Sequence, residues 1–337
     1  MTRYATNFCL DVPTKGYFFI LPKELHSASK ETLGSITFEL AKKCHIYMIV
    51  RQPRYTFIPE SLELISFTST TAGKIAHLNF KISYKVKGVS NEYNFENYKI
   101  LVPEECESIE ISAYPHHNLL AKDAQNNSLK YYPALQIAHE RNNHLEILYI
   151  GQAFGNEQGS RTTLDRLKNH STLQKILAIT QDDFPDDQIL IGSFEFDRAR
   201  FLSSMDGMDK TAVFDETDSR RFHKTLNMDI KLREEIFLIE AALVRYFQPP
   251  YNITLKDSLP KPNSKTMSKC FDYDFTALSV NIFTDEKLAN FCLYTQTVTP
   301  KDMHLAIFEL ANPQLRKTFF SIGTDMNTPN YVQNDYL

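Results

Sequence analysis

Apolar positions in the first 125 residues recur in short runs: YFFIL (17–21), SITFEL (35–40), HIYMIV (45–50), LELISFTS (62–69), AHLNFKISYKV (76–86), YKILV (98–102) and SIEISAY (108–114). Runs of this length, rich in β-branched and aromatic residues, predict strands. The alternation of apolar and polar residues from His77 to Val86 marks a half-buried antiparallel strand. A polar run, KDAQNNSLK (122–130), favours loop and closes a predicted β-rich domain over residues 1–128.

After 131 the pattern changes. Two apolar runs flank a polar turn at Arg141-Asn142-Asn143, the second ending in Tyr149-Ile150-Gly151, which predicts a hairpin. Thr162 and Asp165 form a capping pair ahead of Leu164, Leu167, Ile176 and Leu177 at helical spacing, predicting one helix over 162–178. Arg166 and His170, four apart, would then share a face. QILIGSFEF (188–196) reads as a third strand, and 197–228 as a polar insertion forming a mobile segment or lid. A second helix over 230–247 is stopped by Pro249-Pro250. LPKPNSKTMSK (259–269) reads as a linker, so 129–258 forms a central domain. Residues 270–337 form a C-terminal α/β segment expected to pack on the N-terminal domain. The expected class is α+β, a small antiparallel sheet flanked by helices and joined to a β-rich domain.

Composition adds limits. A chain of 337 residues, 42% hydrophobic, is long and apolar enough for more than one core. No run approaches the roughly 18–20 apolar residues that a membrane helix needs, and the N-terminus has no apolar leader pattern. The expectation is a cytoplasmic protein without membrane contact. Cys9, Cys44, Cys106, Cys270 and Cys292 show no C-x-x-C spacing, which argues against a zinc clip or redox dithiol. The formal net charge is -4, and residues 129–258 alone carry 16 Lys and Arg against 20 Asp and Glu. Any surface for a polyanion must therefore be local; Arg161, Arg166, Lys168 and Lys175 are its candidates.

Glu240 is the most informative residue. It lies at the edge of the Ile236, Ile239, Leu243, Phe247 stripe, and its neighbours three and four away are Ile236, Phe237, Leu243 and Val244. No intrahelical cation can pair with it. A carboxylate among apolar neighbours needs a metal or a distant cation, so a functional role, a tertiary ion pair and simple exposure all stay open.

Tyr149-Ile150-Gly151, the Arg166-x-x-x-His170 pair and Glu240-Ala-Ala-Leu-Val-Arg-Tyr-Phe-Gln-Pro-Pro-Tyr-Asn252 together resemble, in order and on the expected elements, the GIY-YIG nuclease superfamily. The last segment resembles the end of the nuclease domain of a bacterial excinuclease. The resemblance covers about 130 residues. It implies a metal-dependent endonuclease acting on DNA phosphodiesters, in a restriction, mobile-element or anti-phage role. Glu240 would hold one Mg²⁺ or Mn²⁺, Arg166 would clamp the scissile phosphate, and Tyr149 or His170 would take the proton from water. Asn252 would contact a phosphate or hold the loop after the helix. Gly151, Gln152, Arg161 and Lys168 would contact substrate. The superfamily's first tyrosine is expected near 134–136, where Ala134-Leu135-Gln136 stand, so it is either missing or displaced to Tyr131 or Tyr132, and its role stays open. Gln152 stands where excinuclease-type members often carry a lysine. The alternative is a non-catalytic nucleic-acid-binding or scaffold module on the same fold. A protein partner on the β-rich part and a homo-oligomer are both allowed.

Overall fold

The computed structural model describes residues 4–154, 162–205, 210–256, 260, 264–284 and 291–310. In chain order come β1 (Thr6–Ile20), α1 (Lys30–Leu33), α2 (Ser35–Ala41), β2 (Ile46–Pro53), β3 (Thr56–Phe57), β4 (Glu63–Thr70), β5 (Gly73–Val86) and β6 (Val89–Val102). Next are β7 (Ser108–Ile111), β8 (Asn118–Lys122), β9 (Ser128–Pro133), α3 (Ala134–Ala138), β10 (His144–Gln152), α4 (Thr163–Leu167), α5 (Ser171–Asp183) and β11 (Asp187–Phe196). The remainder is β12 (Arg200–Met205), α6 (Glu216–Leu226), α7 (Leu232–Phe247), α8 (Lys265–Asp272), β13 (Ala277–Phe283), β14 (Cys292–Tyr294) and β15 (Met303–Glu309).

The main sheet runs β14-β10-β2-β11-β1-β13-β15, with β12 also paired to β1. Strand β2 lies between β10 and β11, antiparallel to both. Because both faces of this sheet are covered, β2 is apolar on both sides. Ile46, Met48 and Val50 join the core formed by Ile236, Ile239, Leu243 and Phe247 of α7. Tyr47 and Ile49 join the opposite core with Leu164 and Leu167 of α4 and Leu173 and Ile176 of α5. Each such aliphatic side chain contributes about 1.5–3 kcal/mol by leaving water.

Strands β3 to β6 form a second sheet and β7-β8-β9 a third. Together with α3 they enclose a separate core containing Phe57, Leu78, Phe80, Ile82 and Phe95. The chain is thus mixed α and β and rich in sheet, and its β-rich unit enters between two neighbouring strands of the main sheet.

Several expectations change as a result. The boundary at 128/129 does not separate two sheets, because β1 and β2 pair within the same sheet as β10 and β11. SITFEL is helix α2, not a strand. The expected hairpin over 131–151 does not form: residues 134–138 are helical, and β9 and β10 belong to different sheets. Strands β10 and β11, both expected, are separated by β2. The helix over 162–178 is broken into α4 and α5 at His170. The 197–228 stretch holds β12 and α6, its residues 206–209 lying outside the described ones. The linker ends sooner than 269, because Ser264 caps α8. The C-terminal segment does meet the N-terminal strand, β13 pairing in parallel with β1, but β14 pairs with β10. Among the described residues no helix is long and apolar enough to cross a membrane, and the five cysteines are free thiols.

Candidate functional site

The candidate residues meet at one end of β2 and β10. Tyr47 lies directly across from Gly151. A Cβ at position 151 would sit 2.5 Å from the Tyr47 hydroxyl oxygen and 2.9 Å from the Tyr149 ring. Glycine therefore makes the room in which two tyrosines pack with ring centroids 6.1 Å apart. A register shift between Ile147 and Tyr149 marks a β-bulge at Leu148. Ile147 packs with the α7 core, whereas Leu148 and Tyr149 both face the α4–α5 core. The extra residue turns Tyr149 onto the face of Tyr47, as bulges commonly re-aim side chains.

On that face α4 is tied to β11 by the Thr163 and Ser193 hydroxyls, 2.8 Å apart, and Ser193 is the β11 partner of Tyr47. Arg166 follows within the same helix and is exposed. Its guanidinium draws the Tyr47 and Tyr149 hydroxyls and the Glu240 carboxyl downward in pKa. His170 is not stacked below Arg166 on one helix; it is the N-cap of α5, its Nδ1 accepting from the Leu173 amide at 3.2 Å.

That cap decides the tautomer. With Nδ1 occupied as an acceptor, the proton of a neutral ring sits on Nε2, 3.1 Å from the Tyr47 oxygen, so His170 donates to Tyr47. Tyr47 in turn hydrogen-bonds to the Tyr149 oxygen and lowers its pKa. The relay runs from the amide of Leu173 through His170 and Tyr47 to Tyr149. Tyr47 is 1% exposed, and Tyr149, partly exposed, is the end that meets solvent. Burial raises both phenols above their ordinary range, and this outweighs the pull of Arg166.

Glu240 approaches from α7. Its Oε2 accepts from the Gln152 side-chain amide at 2.8 Å, and the Gln152 backbone also donates to it. Among the described residues no Lys, Arg or His lies in ion-pair contact with it, and burial pushes its carboxyl up to about 7. Among the described residues it is thus neither a salt-bridge partner nor a freely solvated side chain.

Asn252 does not face the site. Its Oδ1 accepts from the Ile150 amide at 2.9 Å and its Nδ2 donates to the Ile150 carbonyl at 2.8 Å. Where β14 no longer flanks β10, this side chain acts as a strand substitute that holds Tyr149-Ile150-Gly151. Lys168 lies at the end of α4, 3.9 Å from Asp165. Arg161 lies outside the described residues. Tyr131 and Tyr132, expected to supply a second tyrosine, are on β9 in the third sheet, and the Tyr132 hydroxyl bonds to the Leu101 carbonyl. Tyr47 takes the position beside Tyr149 instead. The local signal for it was only a tyrosine at the start of an apolar strand.

Among the described residues no cluster of three metal-binding side chains occurs; the site offers one carboxylate. No family model, curated protein or solved structure matches the chain.

Proposed function

We propose that this chain is a metal-dependent endonuclease of GIY-YIG type, hydrolysing phosphodiester bonds in DNA at the Tyr47–Tyr149–Glu240 site. The observation that carries the reading is the antiparallel pairing of the start of β2, where His45 leads into Ile46-Tyr47, with the end of the adjacent strand β10, where Tyr47 lies across from Gly151 of Tyr149-Ile150-Gly151. Two such triplets on neighbouring antiparallel strands are what the superfamily's resemblance calls for, and here the connection between them carries the whole β-rich unit.

The residues fit a single divalent ion. Glu240 is a partly buried carboxylate whose charge no contacting cation among the described residues offsets, and one protein oxygen with several waters suits Mg²⁺. Bound there, such an ion would polarise the phosphate and stabilise its developing charge. Tyr149, as its phenolate, takes a proton from the attacking water and becomes the neutral phenol; the hydrogen bond from Tyr47 favours the phenolate before the transfer, and His170 holds Tyr47 in place. His170 is not itself the base, since both its ring nitrogens are engaged. Arg166 sits where a positive group meets the charge that develops on the phosphate oxygens. Gln152 fixes the Glu240 carboxylate by two hydrogen bonds.

Incubation of the full chain with supercoiled plasmid and with RNA, in Mg²⁺, Mn²⁺ or chelator, tests the proposal. Metal-dependent nicking of the plasmid by wild type and none by Glu240→Gln is the expected result. Cleavage that persists in chelator, or in that variant, overturns it. Binding without cleavage under every metal condition would return the chain to the non-catalytic alternative.

A further inference from the structure

A cleft of about 470 Å³ opens beside the site, lined by Gln152, by Lys231, Arg233 and Phe237 at the start of α7, and by Lys265 and Thr266 at the start of α8. Gln152 connects it to Glu240. Its one acid, Glu234, is already neutralised by Lys269 of α8 at 2.7 Å. Lys231, Arg233 and Lys265 are exposed, and none of the three forms an ion pair among the described residues. Elsewhere cations are commonly paired, as Lys15 is with Glu195, Arg51 with Glu146, Lys81 with Glu92 and Arg198 with Glu235. The walls are fixed. Met267 and Cys270 bury one side of α8 in the main core, and the Lys269–Glu234 bridge ties α8 to α7.

We infer that this cleft holds the phosphate backbone of the nucleic acid as it leaves the reacting site, with Lys231, Arg233 and Lys265 each meeting a phosphate. The inference rests on the nuclease reading and extends it: α8, beyond the expected central domain, supplies part of the substrate surface. It also resolves the charge problem. A chain with a formal net charge of -4 does not attract a polyanion by its bulk field, so binding depends on unpaired cations concentrated at one place. The three cations here line the cleft that Gln152 joins to Glu240.

The test is fluorescence anisotropy of a labelled duplex binding to the full chain in chelator, over a range of salt, where no cleavage occurs. Lys231→Gln with Arg233→Gln and Lys265→Gln should weaken binding at least about tenfold and reduce the slope of log affinity against log salt by about one per cation, about three in all. Neutralising Lys81, Lys85 and Lys87 on the β5–β6 hairpin should leave both unchanged. Arg233→Gln with Lys265→Gln, which spares the residue preceding α7, should give about two-thirds of the slope change. Unaltered affinity and slope in the triple variant, with a wild-type melting curve, overturn the inference. So does an equal loss in the hairpin variant. Since no step is catalysed, failure of the metal-site reading would appear only in the cleavage assay, and failure of the cleft only here.

Discussion

Replacing Glu240 with glutamine should stabilise the protein at alkaline pH while removing its activity. In the unfolded chain a glutamate loses its proton near its ordinary value of 4.5, but in the fold burial holds the Glu240 proton up to about 7. Between these values the folded chain binds a proton that the unfolded chain has released, so its stability falls as pH rises through this window and the loss is complete above it. One decade of proton affinity is worth about 1.4 kcal/mol, which puts the loss at about 3 kcal/mol, or nearer 1 once solvent relaxation is allowed for. The glutamine side chain carries no such penalty, keeps the volume, and its oxygen can still accept from Gln152. Denaturant unfolding without metal should show the variant more stable than wild type by about 1–3 kcal/mol at pH 8 and equal to it below pH 4.5. Mg²⁺ should then stabilise wild type and not the variant, because only the carboxylate binds it. A variant less stable than wild type at pH 8 would mean that a cation already compensates Glu240, and equal stabilisation of both proteins by Mg²⁺ would place the metal elsewhere.

Tyr149→Phe should lower the cleavage rate by about 10²- to 10⁴-fold, the usual share of a positioned base. Because the Tyr149 pKa is raised, the wild-type rate should climb close to tenfold per pH unit across the neutral and mildly alkaline range; a plateau already present at neutral pH would exclude a phenol as base. Tyr47→Phe should cost less activity but also destabilise the fold by about 0.5–1.5 kcal/mol, since it removes the buried hydrogen bond to His170. Gly151→Ala should remove activity with the fold retained, by forcing apart the rings of Tyr47 and Tyr149; wild-type activity in this variant would refute their juxtaposition. Arg166→Ala should reduce the rate by about 10²- to 10³-fold with little loss of affinity, as expected of a group acting on developing charge, and parallel losses of rate and affinity would reassign it to backbone binding.

What the sequence made legible was local. The α7 stripe, the stop at Pro249-Pro250 and the edge position of Glu240 all follow from helical spacing within one element, and each is found in the structure. The Thr162–Asp165 capping box is there too. The break after α4 was hidden because a histidine is not among the common caps, yet His170 caps α5 through its ring nitrogen. SITFEL carried a strand-like composition but lies in a short helix against β1. The bulge at Leu148 was equally silent: an apolar run buried on both faces shows no alternation from which a slipped residue could be noticed.

The pairing of Tyr47 with Tyr149 was out of reach for another reason. Reading a tyrosine triplet upstream of Tyr149 assumes a hairpin, where the turn sets the register. Here about 90 residues with their own core separate the two strands, and closing so long a connection costs only slowly more as it lengthens, so the intervening chain fixes nothing about which residues face each other. The register of Tyr47 is set from the other side instead. β11 pairs with β2 along its whole length, from Asp187 opposite Pro53 to Phe194 opposite Ile46. Thr163 and Ser193 then bind α4 to the same strand, so β11 positions both Tyr47 and Arg166. The β-rich unit can therefore be large without loosening the site, because neither Tyr47 nor Arg166 depends on it for register.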